Sequence, residues 1–173
     1  MKKFILALSL CLVTLAAGAQ EYNWAFGVRS DRHKGEVTAK HALTPASNIE
    51  FLFGLPYGQG AYGPRFYGYQ NVFGPADFSV KMLLEKNIAS PIDGLYFVCG
   101  AGPYIGIFPD ADYWRRFGSY LGLVATVGAE YVFQDFPLAI SLDFQPGLMY
   151  GLCSQKGLHY SYDGIGIGFK FYF

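Results

Sequence analysis

From Leu138 to Leu148 the chain alternates between two kinds of side chain. Leu138, Ile140, Leu142, Phe144, Pro146 and Leu148 hold one parity, and Ala139, Ser141, Asp143, Gln145 and Gly147 the other. Successive side chains of a strand point to opposite faces, so this run needs an apolar medium on one face and a polar or close-packed one on the other. The chain ends on a second copy, with Ile165, Ile167, Phe169, Phe171 and Phe173 against Gly164, Gly166, Gly168, Lys170 and Tyr172. A third runs from Leu121 to Phe133, where Leu123, Val127 and Tyr131 oppose Gly122, Thr126, Gly128 and Glu130. A helix repeats every 3.6 residues and cannot keep such a pattern on one face. The fold is all-β.

Shorter copies occupy the rest of the chain. They begin at Tyr22, Val37, Ile49 and Phe78, and a segment apolar on both parities runs from Leu95 to Ile107. The total is eight strands. Pro103 cannot donate to a ladder, so a bulge is expected beside it. The connections alternate in length. Thr44-Pro45-Ala46-Ser47, Asn87–Asp93 and Gln134-Asp135-Phe136-Pro137 are short, whereas Pro56–Asp77, Pro109–Ser119 and Met149–Ser161 are long, with Ser30–Gly35 on the same side as the long ones. Short turns at one end and longer loops at the other are the pattern of an up-and-down membrane barrel.

The first residues point to export. Met1-Lys2-Lys3 is a basic start, Phe4 to Ala17 is an apolar run, and Ala17-Gly18-Ala19 supplies small residues before Gln20. These are the three regions of a cleavable signal peptide, assigned to residues 1–20, with residues 21–173 as one barrel domain. Of 13 basic and 13 acidic side chains, removal of Lys2 and Lys3 leaves 11 against 13, a formal net of −2. Nothing there suits a nucleic-acid face. Of the three cysteines only Cys99 and Cys153 remain, which permits one disulfide but is no framework. No Cys and His spacing suits a metal, and no cofactor is expected.

A soluble eight-stranded barrel would show the same alternation with its polar parity outward. Two features favour the membrane. The polar parity mixes charges with Gly122, Gly128, Gly164, Gly166 and Gly168, as a crowded lumen requires, and the apolar parity is aromatic at Trp24, Tyr131, Phe133, Phe144, Phe169, Phe171 and Phe173. Aromatic girdles at strand ends belong to a lipid-facing surface. This also accounts for composition: 18% of the chain is Phe, Tyr or Trp, more than a core this small holds.

Here the chain resembles the small outer-membrane barrels. Terminal Phe173, with Phe171, Phe169 and Ile167 before it, looks like the C-terminal strand that the barrel assembly machinery reads. Phrases such as Val127-Gly128-Ala129-Glu130-Tyr131-Val132-Phe133 and Asp135-Phe136-Pro137-Leu138 resemble eight-stranded barrels of Bacteroidota. The architecture is similar to the OmpA transmembrane domain and the OmpX group. The resemblance implies an eight-stranded antiparallel up-and-down transmembrane barrel in the outer membrane of a Gram-negative bacterium, in contact with lipid and lipopolysaccharide.

The polar parity places Arg29, Lys40, Lys81 and Lys170 inside with Glu36, Glu50, Glu85, Glu130 and Asp143. An eight-stranded lumen is only wide enough for its own side chains, so these charges must pair. Glu130, Asp143 and Lys170, on the last three strands, are expected to cluster. The expected role is structural or in surface interaction and non-catalytic, with a narrow channel for small or hydrophobic solutes as the alternative. A lipopolysaccharide-modifying activity is the third reading. His159-Tyr160-Ser161 has the His-x-Ser spacing of the deacylases, though Asp163-Gly164-Ile165-Gly166 lacks their orienting Glu, and Ser30, Asp31 and His33 supply the residue types of the palmitoyltransferases. Both are better read as ordinary polar residues near a barrel mouth. A protein partner, or anionic lipid headgroups, would meet the Tyr-rich loop carrying Tyr57, Tyr62, Phe66, Tyr67 and Tyr69 and the aromatic-basic loop Tyr113, Trp114, Arg115, Arg116.

Overall fold

In the computed structural model, residues 23–31, 34–56, 78–109, 117–152, 157–161 and 164–173 are described. The signal segment lies outside these residues. Ten strand segments form eight strands: β1 (Trp24–Asp31), β2 (Lys34–Thr44), β3 (Ser47–Pro56), β4 (Phe78–Ile92), β5 (Leu95–Pro109), β6 (Phe117–Val132), β7 (Leu138–Phe144 with Gly147–Gly151) and β8 (Gly157–Ser161 with Ile165–Tyr172). Each strand pairs antiparallel with its neighbours in sequence. The first strand closes on the last, from Ala25 opposite Tyr172 to Asp31 opposite Gly166. Trp24 and Phe173 seal the seam, each donating its amide to the other's carbonyl, at 3.3 and 2.8 Å. Closure leaves no sheet edge, the condition for a strand structure to sit in hydrocarbon.

The alternation decides which face is which. Along β1, Phe26 and Val28 are exposed while Ala25 and Arg29 are buried. Along β8, Ile165, Ile167, Phe169 and Phe171 face out and Lys170 faces in. The outer wall is thus a continuous apolar surface, and the buried centre holds ionic side chains. No helix among the described residues is long and apolar enough to cross a membrane, which bears on helices alone.

Local chemistry sets the turns. Pro45-Ala46 joins β2 to β3, where the hydroxyls of Thr44 and Ser47 bond each other at 2.5 Å. Asp93-Gly94 joins β4 to β5, with Gly94 at φ +84°, a left-handed conformation that favours glycine. Aromatic rings crowd this turn end. Trp24 stacks on His41 at 4.4 Å, Tyr131 meets Phe133 edge-on at 5.0 Å, and Phe136 meets Phe171 edge-on at 6.1 Å.

Four expectations are corrected. The Asn87–Asp93 connection is strand almost throughout, because β4 runs to Ile92 through register shifts between Asn87 and Ile92. No bulge accompanies Pro103, since Lys81 opposite Tyr104 and Leu84 opposite Ala101 keep one register. The proline that interrupts a strand is Pro146. Its carbonyl accepts from the Ala125 amide at 2.9 Å, but lacking N–H it cannot return the bond. Phe144 is mid-strand, not at a strand end, because β7 continues to Gly151.

The fourth correction concerns Met149–Ser161, read as a loop. It contains a hairpin in which Gly147 faces Ser161 and Gly151 faces Gly157. Phe144, however, faces Ile165, so β8 uses three residues where β7 uses only Gln145 and Pro146. This change of register reverses parity. Below it the odd-numbered Ile165 and Ile167 are exposed, and above it the even-numbered Leu158 and Tyr160.

Candidate functional site

Strand direction sorts the inward charges into two layers. Near the loop end stand Arg29 and Asp31 of β1, Lys34 and Glu36 of β2, Lys81 of β4 and Asp143 of β7. Near the turn end stand Lys40 of β2, Glu50 of β3, Glu85 of β4, Glu130 of β6 and Lys170 of β8. All but Asp143 of these are buried, and Asp143 is half-buried.

The loop-side layer is centred on Arg29. Its guanidinium donates to Asp143 at 2.7 and 2.9 Å, to Glu36 at 2.7 Å and to the Gly164 carbonyl at 2.6 Å, and Asp31 lies at 3.3 Å. A planar fork with several fixed donors suits this bridging between strands. Gly166 makes room for it, since a Cβ there would stand 2.4 Å from the guanidinium carbon. Glu36 also takes Lys81, at 2.8 Å, and Lys34 lies at 3.7 Å. Polar uncharged groups complete the layer. Lys81 donates to Gln145 at 2.7 Å, Lys34 donates to the Tyr104 hydroxyl at 2.8 Å, and the hydroxyls of Tyr104 and Tyr120 bond at 2.9 Å. The ammonium groups of Lys34 and Lys81 lie 4.9 and 5.5 Å from the Tyr104 ring centre, within cation–π range. Three cations face three anions here.

The turn-side layer is a chain of five. Lys40 reaches Glu85 at 3.0 Å and Glu130 at 3.1 Å, and Lys170 reaches Glu130 at 3.0 Å and Glu50 at 2.9 Å. Glu130 holds both lysines and accepts from the Tyr172 hydroxyl at 2.6 Å. Glu85 and Glu50 are the two ends. Asp143 does not join the Glu130–Lys170 pair as expected, because its carboxylate is taken by Arg29 in the other layer. A cavity of about 20 Å³ opens beside this chain, lined in part by Glu50, Glu85, Ser141, Asp143 and Thr126. Such a volume holds about one water molecule. Leu52, Leu83, Val124 and Met149, with Tyr104 and Tyr120, form an apolar cluster across the lumen on the β3–β7 side.

The nine charges placed inside from sequence therefore all have ionic or hydrogen-bond partners. Asp31, Lys34, Tyr104, Tyr120, Gln145 and Tyr172 also belong to the network. Parity placed Gln145 and Tyr172 inside, but only the strand pairing shows what they touch. Asp31 and Lys34 sit where a loop was expected, so the alternation did not place them in the lumen.

Other candidates are less well placed. The loop residues Tyr57, Tyr62, Phe66, Tyr67, Tyr69, Tyr113, Trp114, Arg115 and Arg116 lie outside the described residues, as do His33, Asp163 and Cys153. Cys99 is free and stands on β5 opposite Val127. His159 and Ser161 are strand residues, opposite Met149 and Gly147. No group of three or more His, Cys, Asp or Glu among the described residues is arranged to hold a metal ion. Ile167, Phe169 and Phe171 of the terminal strand point outward beside Phe173.

No family model and no curated protein matches this chain. Among solved structures, the chain is similar to the N-terminal β-barrel domain of Pseudomonas aeruginosa OprF, with a TM-score of 0.53 and 14% identity. The match covers 89% of this chain and 100% of that one. At such identity the likeness concerns fold alone. The chain has the closed eight-stranded antiparallel barrel fold of that domain.

Proposed function

We propose that this protein is a non-conducting, non-catalytic outer-membrane barrel of a Gram-negative bacterium, with a structural or surface-interaction role. Residues 1–20 direct export and are removed. The chain then crosses the periplasm, where the barrel assembly machinery reads Ile167, Phe169, Phe171 and Phe173, and inserts with both termini on the periplasmic side. Four loops face outward, and the Tyr-rich and aromatic-basic loops contact lipopolysaccharide or a protein partner. Bacteroidota is the proposed origin, on the phrases quoted above.

One observation carries the non-conducting reading: the lumen is crossed by two bonded charge layers. Moving an ion through would require separating pairs at 2.7–3.1 Å that tie different strands together. Removing one partner of a buried pair costs about 3–5 kcal/mol, so such separation is rare. Planar bilayers containing the purified barrel should show no discrete current steps. Steady ohmic steps that change on Glu130→Gln would establish the channel reading instead. For the surface role, gentle solubilisation of outer membranes and affinity capture should recover a defined partner, lost on deletion of residues 57–77 with the barrel intact. A shift in lipid A mass on expression, abolished by Ser161→Ala, would replace both readings with catalysis.

A further inference from the structure

The turn-side chain has an unequal charge count. Glu85, Lys40, Glu130, Lys170 and Glu50 alternate in sign, so the row of five ends on a carboxylate at both sides. Three anions face two cations. The neighbouring strands do not correct this. Asp143 of β7 is a further anion and is committed to Arg29. Tyr172 of β8 is a neutral donor, and it serves Glu130. Val98 of β5 and Thr126 of β6 contribute no charge to the cavity wall.

The surplus falls on Glu50 and Glu85. Glu130 has two ammonium groups and a hydroxyl, whereas each terminal carboxylate has one lysine. They stand on adjacent strands: Asn48 faces Glu85, so Glu50 is its diagonal neighbour on the inner face. Oε1 of Glu50 and Oε2 of Glu85 lie against lysine but lack a hydrogen bond of good geometry. Both line the cavity, and a third group lines it without a partner. The Ser141 hydroxyl is 94% buried and makes no hydrogen bond. An unpartnered buried hydroxyl beside an uncompensated carboxylate marks a site that takes a cationic hydrogen-bonding ligand.

We infer that this row takes up one proton in the cavity lined by Glu50, Glu85 and Ser141, so that one carboxyl of the row is held as the neutral acid. The proton comes from water as the barrel closes and makes the row neutral. Na⁺ would neutralise it equally, but it would need several oxygens in a space of about 20 Å³ already flanked by Lys40 and Lys170. A proton needs one oxygen and leaves room for a single water bonded to Ser141.

Infrared difference spectra of the mature barrel in lipid, compared with Glu50→Gln and Glu85→Gln at neutral pH, test this. The expected result is one protonated carboxyl stretch per chain in the wild type, shifted in D₂O and lost in either variant. Should a variant fail to assemble, solid-state NMR of wild-type barrel labelled at the glutamate carboxyl carbons must show one acid resonance among carboxylates. Absence of any protonated carboxyl in the wild type overturns the inference, and a broadened sodium NMR line that narrows in the variants would then identify the counter-ion as a metal cation. A band that persists in both variants also overturns it, because the proton would belong to another group. Bilayer silence is independent of this result, so failure here leaves the non-conducting reading to its own test.

Discussion

The two ends of the lumen are built from the same kinds of residue and differ in how the residues are shared. At the loop end one arginine gathers three carboxylates, two lysines support them, and Tyr104, Tyr120 and Gln145 fill the remaining positions. At the turn end two lysines bridge three glutamates in a row, with a cavity where a further donor would stand. The contrast teaches that charge balance in a narrow barrel is local. A count over the whole lumen hides a neutral layer stacked on a negative one.

Substitutions can break this contrast at either end. Arg29→Met should have the largest effect. It leaves Asp143 without its ion pair and removes a donor from Glu36, so denaturant unfolding in detergent should register a loss of about 5 kcal/mol. Lys170→Met should cost less, about 3 kcal/mol, because Glu130 keeps Lys40 and Tyr172 and only Glu50 loses its cation. Equal losses would mean that the two layers act as one network. Gly166→Ala places a methyl against the Arg29 guanidinium and should cost about 2 kcal/mol by the same unfolding measurement. Tyr104→Phe removes the hydroxyl that joins Lys34 to Tyr120 and should cost about 1 kcal/mol. The smallest effect belongs to Glu85→Gln, expected within about 1 kcal/mol of wild type at neutral pH, since it removes the surplus anion instead of a needed partner. A loss as large as that of Lys170→Met would show that the turn-side layer is already balanced.

Much of the wall was legible in the sequence. Leu138–Leu148 and Ile165–Phe173 each carry a period of two long enough to fix strand, inner face and outer face together. The signals failed at identifiable places. Asn87 to Ile92 lacks clean alternation because its strand carries register shifts, and so it read as a turn. Gly157–Ser161 read as loop because the change of register between Gly147–Ser161 and Phe144–Ile165 moves its apolar parity from odd to even, and a pattern of fixed phase passes over it. Pro103 drew suspicion that belonged to Pro146, since both lack a donor and only the ladder shows which absence interrupts pairing.

By itself the sequence determined a strand count, an inside and an outside, and the charges that had to go inside, because alternation is a local property set by the geometry of each strand. Which charges meet is not local. Arg29 and Asp143 lie 114 residues apart and touch only because β1 closes on β8 and β8 lies against β7. Closure also set the level of each charge along the axis, and so placed Asp143 with Arg29 and left Glu50 and Glu85 with too few cations. Strand stagger depends on every register at once, and for that reason the tertiary structure alone decided how the lumen balances.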